Sequence, residues 1–128
     1  MKSKVFIDGE AGTTGLKVAE RLQAHPHVQI LRVDEAERKN ASARADMMAA
    51  SDVTILCLPD KAAVEAVMLA QASQTRLIDA SSAHRIDPDW VYGFAELQPG
   101  QRDAIANGKF ITNPGCYPTG AIALILPL

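Results

Sequence analysis

Aromatic residues are scarce in this chain, only 5% of it. That argues against a nucleic-acid binder that stacks bases on side-chain rings. Charge of one sign is also lacking. The formal net charge is −2 over 128 residues, and no Lys/Arg run exceeds the pair Arg38-Lys39. Neither feature suits nucleic acid or a membrane surface, so any anionic ligand must be held by local features. No apolar run approaches the ~18 residues of a membrane span. The opening MKSKVFIDG has too little apolar content for a secretory h-region. The only two cysteines, Cys57 and Cys116, lie far apart, and without a signal peptide the expectation is a reduced, cytoplasmic protein. Zinc-type ligand spacing is missing, so no metal is expected. There is no internal repeat and no low-complexity linker.

What is present is enough for a core, since 48% of the residues are hydrophobic. Val5-Phe6-Ile7 is a short apolar run without alternation, as in a strand buried on both faces. After a glycine-rich turn, apolar positions recur at helical spacing from Thr14 to Ala24, and His25-Pro26 ends that helix. A second strand is predicted over Val28 to Val33, then a charged loop over Asp34 to Asn40 and a weak helix over Ala41 to Ala50. A third strand covers Val53 to Leu58, and Asp60 is positioned to cap the helix that follows, to about Ala72. Arg76 to Asp79 reads as a fourth strand, and Asp87 to Gly93 as irregular. Pro99 begins a helix to about Asn107, with Gly108 at C′, before a fifth strand over Lys109 to Thr112. Strands and helices alternate throughout. The fold class is therefore α/β, a Rossmann-like, doubly wound, mainly parallel sheet.

Gly9, Gly12 and Gly15 form GxxGxxG between the first strand and the first helix. Glycines there let the backbone turn sharply and approach a diphosphate, which sits on the helix N-terminus. Thr13 and Thr14 add hydroxyl donors. The spacing differs from GxGxxG, and an ordinary tight turn is the competing explanation, but the position in the first βα turn favours a dinucleotide. Asp34 and Glu35 stand where an acid would bind the adenosine ribose of NAD, whereas Arg32, Arg38 and Lys39 stand where cations would accept a 2′-phosphate. The residues leave that choice open.

Cys57, inside VTILCL, reads as a small buried hydrophobe. Cys116 follows Asn113-Pro114-Gly115 and precedes the apolar run Ala121 to Leu126, which places it at a helix start. Unpaired N–H groups and the dipole there favour thiolate, the nucleophilic form, although an inert core thiol fits the pattern equally well. Asn113 either donates to a developing oxyanion or forms an Asx turn. His25 and His27 flank Pro26 in a loop and are expected to be exposed. His84, in SSAHR, suits a hydrogen-bonded structural role at least as well as a catalytic one. Arg85 beside it has the fork to clamp a phosphate or carboxylate, or forms a surface ion pair.

GEAGTTG, DASSAHR, VYGFAEL and NPGCYPTG, in this order and spacing, resemble the N-acetyl-gamma-glutamyl-phosphate reductase family, its shorter type, within a wider group that includes aspartate-semialdehyde dehydrogenase. The resemblance runs from Val5 to Leu128. It implies NADPH-dependent reduction of N-acetyl-L-glutamyl 5-phosphate to the 5-semialdehyde with phosphate release, a step of arginine biosynthesis in the cytoplasm. It implies Cys116 as the nucleophile that forms a thioester, with Asn113 beside it. Gly9, Gly12, Thr13, Thr14 and Gly15 match the family's cofactor loop. Ser81 and Ser82 match a loop near the nicotinamide, and Arg85 is matched to substrate phosphate. Membership tips the cofactor to NADP, with Arg38 and Lys39 at its adenosine end. The NPGCYPTG wording argues against an aspartate-semialdehyde substrate.

Family members continue into a second α/β domain that carries the catalytic histidine and most of a homo-oligomer interface. His84 does not match that histidine. Residues 1–115 are therefore expected to form the NAD(P)-binding domain, and 116–128 the nucleophile and the first helix leading onward. An all-apolar last helix needs cover on every side, so the chain is expected to be a fragment, inactive by itself. The alternative is a non-catalytic NADP-binding or regulatory module. The partner expected is a small acyl phosphate, with neither nucleic acid nor membrane.

Overall fold

A computed structural model describes residues 1–128. Six strands form one sheet: β1 (Ser3–Asp8), β2 (Val28–Leu31), β3 (Val53–Leu56), β4 (Arg76–Asp79), β5 (Val91–Tyr92) and β6 (Phe110–Thr112). Five α-helices intervene: α1 (Thr13–Gln23), α2 (Ala41–Ala50), α3 (Asp60–Ala70), α4 (Gln101–Asn107) and α5 (Cys116–Ile125). The spatial order is β2-β1-β3-β4-β6-β5, and every adjacent pair is parallel. From β1 the chain steps outward to β2, then crosses back to lay β3 on the other side of β1. The crevice between the carboxyl ends of β1 and β3 is thus a topological switch point, where open α/β sheets hold ligands.

Alternation along the strands divides the core. Phe6, Leu56 and Leu77 pack with Met48 of α2 and with Ala66 and Ala70 of α3. Val5 and Ile7 point to the other face, against Ala19 of α1. Small side chains bring α3 close, since its buried positions are Ala63, Ala66 and Ala70, one stripe at helical spacing. Met48, Leu56 and Leu77 are fully buried, and each such burial contributes about 1.5–3 kcal/mol. Asn40 caps α2, its Oδ1 accepting from the N–H groups of Ser42 and Ala43 at 2.9 and 3.2 Å.

The doubly wound parallel sheet with helices on both faces agrees with the sequence expectation. Several details differ. The stretch Asp87 to Gly93 is not wholly irregular, because Val91-Tyr92 pairs with Ile111-Thr112 as β5. Asp60 does not cap α3. The N-cap is Pro59, and the Asp60 carboxylate instead accepts from the backbone N–H and hydroxyl of Ser82 at 3.0 and 2.6 Å. Gly108 is the extended C-cap of α4 at φ −68°, not a left-handed C′ residue. The second and third strands end at Leu31 and Leu56, short of Val33 and Leu58.

In-register pairing sets Asp8, Leu56, Asp79, Thr112 and Tyr92 in one row across the sheet. This row closes the core at its carboxyl edge, and the loops that leave it build the site.

Candidate functional site

Two centres lie on that edge. The first is a cleft of about 690 Å³ over the switch point, lined among others by Asp8, Gly9, Gly12, Leu58, Arg38 and Lys39. Its inner wall is the turn between β1 and α1. Gly9 sits at φ +89°, and a Cβ there would run into the Cys57 carbonyl. A Cβ on Gly15 would strike the Gly9 carbonyl, so α1 enters directly against the turn only because both residues lack side chains. Gly12 is the N-cap of α1 and no side chain caps that end. Its first-turn N–H groups therefore stay available to an anion. A tight turn that only glycine permits at Gly9 and Gly15, beside a free helix start and a cleft of this size, fits a dinucleotide.

Of the residues the sequence assigned to the cofactor, Gly9, Gly12, Arg38 and Lys39 line this cleft, while Thr13, Thr14 and Gly15 do not. Gly15 acts from behind the turn, and Thr13 and Thr14 are exposed at the start of α1. The cleft also contains Asp8 and Arg44, which sequence reasoning passed over. Arg44 of α2 donates from Nε to both oxygens of Asp8 at 3.1 Å, and from Nη2 to Oδ2 at 2.7 Å. Arg32 donates to Glu10 at 2.9 Å, and Arg38 lies 3.9 Å from Glu35. An acid ending an apolar strand, as Asp8 does in VFID, is the one local signal that could have pointed to a partner.

The second centre joins the loops after β4 and β6. Asp79 is fully buried. Its oxygens accept from the Ser81 N–H and hydroxyl, each at 2.9 Å, and from His84 Nδ1 at 2.6 Å. A carboxylate only accepts, so Nδ1 carries the hydrogen. The His84 ring stacks on Trp90 with centroids 4.2 Å apart, and Trp90 packs on Phe110. His84 is thus a hydrogen-bonded structural residue. Ser81 serves Asp79 at the end of β4 and Ser82 serves Asp60 at the start of α3, so both hydroxyls are engaged and neither serine lines the cleft. The bonds from Ser82 hold the Asp60 carboxyl below its ordinary range. Thr112, paired with Asp79 in the row, keeps its buried hydroxyl without a partner.

Arg85 follows from this anchored loop. Its Nη2 donates to the Ala80 carbonyl and its Nε to the Asn113 carbonyl, both at 3.2 Å. Its Nη1 lies where a Cβ on Gly115 would come within 2.7 Å. The guanidinium therefore braces the main chain just before Cys116, which is the first residue of α5 and exposed. The Asn113 side-chain amide turns to the Pro114 carbonyl at 3.3 Å. Cys57 is half-buried below the edge, and burial, then the charges of Asp8 and Asp79, push its thiol up to about 11. His25 and His27 are exposed, and their rings meet edge to face 5.9 Å apart. No group of three His, Cys, Asp or Glu side chains is placed to hold a metal ion. No helix is long and apolar enough to cross a membrane.

Comparison with known proteins identifies the family. A family profile described as "Semialdehyde dehydrogenase, NAD binding domain" matches residues 4–107. The chain is 56% identical over 129 aligned positions to the N-acetyl-gamma-glutamyl-phosphate reductase of Brucella ovis, covering all of this chain and 42% of the relative. The reductase of Brucella melitensis biotype 2 matches to the same degree. The chain thus spans less than half the length of the curated relatives it matches. Among solved structures, an aspartate semialdehyde dehydrogenase from Candida albicans with NADP superposes with a TM-score of 0.75 at 16% identity, covering 99% of this chain and 46% of that one. The Vibrio cholerae aspartate semialdehyde dehydrogenase II, complexed with ASA, superposes at 0.71 and 18%, with the same coverage. At these identities the superpositions speak for the fold.

Proposed function

The chain belongs to the semialdehyde dehydrogenase NAD-binding domain family, and on that premise we propose that it is the cofactor-binding, nucleophile-bearing part of an NADPH-dependent acyl-phosphate reductase. The substrate we assign is N-acetyl-L-glutamyl 5-phosphate and the product its 5-semialdehyde, with phosphate released, in arginine biosynthesis. The observation that carries this reading is the meeting of a glycine cradle and an exposed helix-start thiol on one carboxyl edge of one sheet. The identity to the reductases supports the substrate.

In the proposed chemistry the Cys116 thiolate attacks the acyl carbonyl. The C–S bond forms, the C–O bond to phosphate breaks, and phosphate leaves with the electron pair. NADPH, when bound, supplies the hydride that takes the resulting thioester to the aldehyde level and frees the thiolate. Arg85 keeps the loop before Cys116 in one conformation, and Asn113, whose amide rests on the Pro114 carbonyl, is the donor we assign to the developing oxyanion. Ser81 and Ser82 hold the loop that carries Arg85. The glycine turn and the free start of α1 hold the diphosphate. Arg38 and Lys39 are assigned to the 2′-phosphate of NADP, because both line the cleft and Lys39 has no acidic partner there. Cytoplasmic location and homo-oligomeric assembly of the whole protein belong to the same reading.

Cys116→Ala in the full-length protein tests it. Phosphate release and NADPH oxidation with the acyl phosphate should fall to background, while NADPH affinity stays within about threefold of the parent, since that change is under 1 kcal/mol. Turnover that survives the substitution would remove Cys116 from the reaction. Failure of the parent to bind NADPH would remove the cofactor assignment.

A further inference from the structure

A carboxylate at the mouth of a diphosphate site is an electrostatic liability, and Asp8 is one. It ends β1, immediately precedes Gly9 of the cradle and lines the same cleft. All three carboxylates that line the cleft, Asp8, Glu10 and Glu35, have an arginine within 4 Å, respectively Arg44, Arg32 and Arg38. The pairs are not equivalent. The Arg32–Glu10 side chains are 51% and 28% exposed, and those of Arg38–Glu35 47% and 88%, so water screens both. Arg44 and Asp8 are 16% and 4% exposed, and their contact is a three-bond fork. Only there does the field of the carboxylate depend on a protein partner rather than on solvent.

Resting on the dinucleotide reading above, we propose that Arg44 is a positioning and charge-neutralising residue of the cleft. By holding Asp8 in a bidentate pair, it removes the one buried negative charge that would oppose an incoming nucleotide diphosphate at the Gly9–Gly12 turn. Asp8 is then a structural acid, and Arg44 the condition under which the site tolerates it. The fork also fixes the side of α2 that faces β1, so a lysine point charge reproduces only part of the effect.

The test is a double-mutant cycle read by calorimetric titration of ADP-ribose and NADPH into the full-length protein, with thermal melts as a check on folding. Arg44→Ala should weaken both ligands about tenfold or more, because it leaves like charges facing each other. Adding Asp8→Asn to Arg44→Ala should restore affinity to within about threefold of the parent. Asp8→Asn alone should tighten binding about threefold or more, because Arg44 then keeps its charge with no anion to cancel. A purely structural role gives a different pattern, with both single variants weakened, Asp8→Asn included, and that pattern overturns the proposal. So does an Arg44→Ala variant with parental affinity. If Arg44→Ala does not fold, Asp8→Asn alone decides, and unchanged or weaker binding refutes the inference. Parental protein that binds neither ligand refutes instead the dinucleotide reading, which separates the two failures.

Discussion

At the scale of single residues, the two cysteines show how environment assigns chemistry. Cys57 stands just beyond β3, between strands that end in buried Asp8 and Asp79. Desolvation and two neighbouring negative charges all oppose its thiolate, and the thiol is pushed up to about 11. Cys116 is exposed at the start of α5. Iodoacetamide at pH 8 should therefore label Cys116 and leave Cys57 at least about tenfold slower, because only thiolate reacts. Labelling of Cys57 should accelerate as pH approaches 11, and peptide mapping by mass spectrometry reads both rates. The sign for stability follows from the same raised value. Folding favours the protonated thiol, so the contribution of Cys57 is complete below the ordinary thiol pKa and is lost as pH rises through about 11. Equal labelling of both thiols at pH 8 in folded protein would contradict this account. The sequence made Cys57 inert from its apolar run alone. It left Cys116 undecided, because Asn-Pro-Gly marks a turn without telling whether the turn is buried.

At the scale of elements, legibility followed the range of the forces involved. Helix α2 begins and ends where its local signals put it, with Asn40 as cap. Strand β4 is likewise recovered whole. Strand β5 was hidden because its two residues are extended only through β6, which comes later in the chain. Asp60 was misread as a cap for a similar reason, since its partner Ser82 is supplied by another loop. Arg44 was missed because a guanidinium on a weakly amphipathic helix looks like surface until β1 is laid beside it. The glycine turn was legible because its requirement is local, and glycines in two settings give predictions of opposite sign. Gly9→Ala should cost at least about 2 kcal/mol, since it adds a left-handed residue and a backbone clash. Gly120→Ala, inside α5 with nothing within 4 Å of the new methyl, should gain about 0.5–1 kcal/mol through helix propensity. Urea denaturation of the two variants tests both, and a stable Gly9→Ala protein would mean that the turn is looser than its geometry.

At the scale of the whole molecule, α5 is the element least committed to the fold. The sequence required cover for it on every side, yet none of its residues is buried in this chain. Tyr117, Leu124, Ile125, Leu126 and Leu128 all stand in water. The helix is instead held at its start, through Gly115 and the Arg85 brace. Two consequences can be separated by experiment. If α5 adds little buried area, replacing Leu124 and Ile125 by Lys removes almost no burial, because they are 77% and 65% exposed. The unfolding free energy of the 128-residue chain should then change by less than about 0.5 kcal/mol per site. The same pair of substitutions should sharply reduce binding of the dye ANS and concentration-dependent association in sedimentation, since both draw on a contiguous apolar patch. Loss of several kcal/mol on substitution would instead mean that α5 belongs to the core of this domain. Parental protein that neither binds the dye nor associates would mean that its apolar face is already covered. The expected result, unchanged stability with reduced stickiness, makes α5 a helix whose apolar surface is satisfied from outside residues 1–115, while its first residue remains fixed by contacts within them.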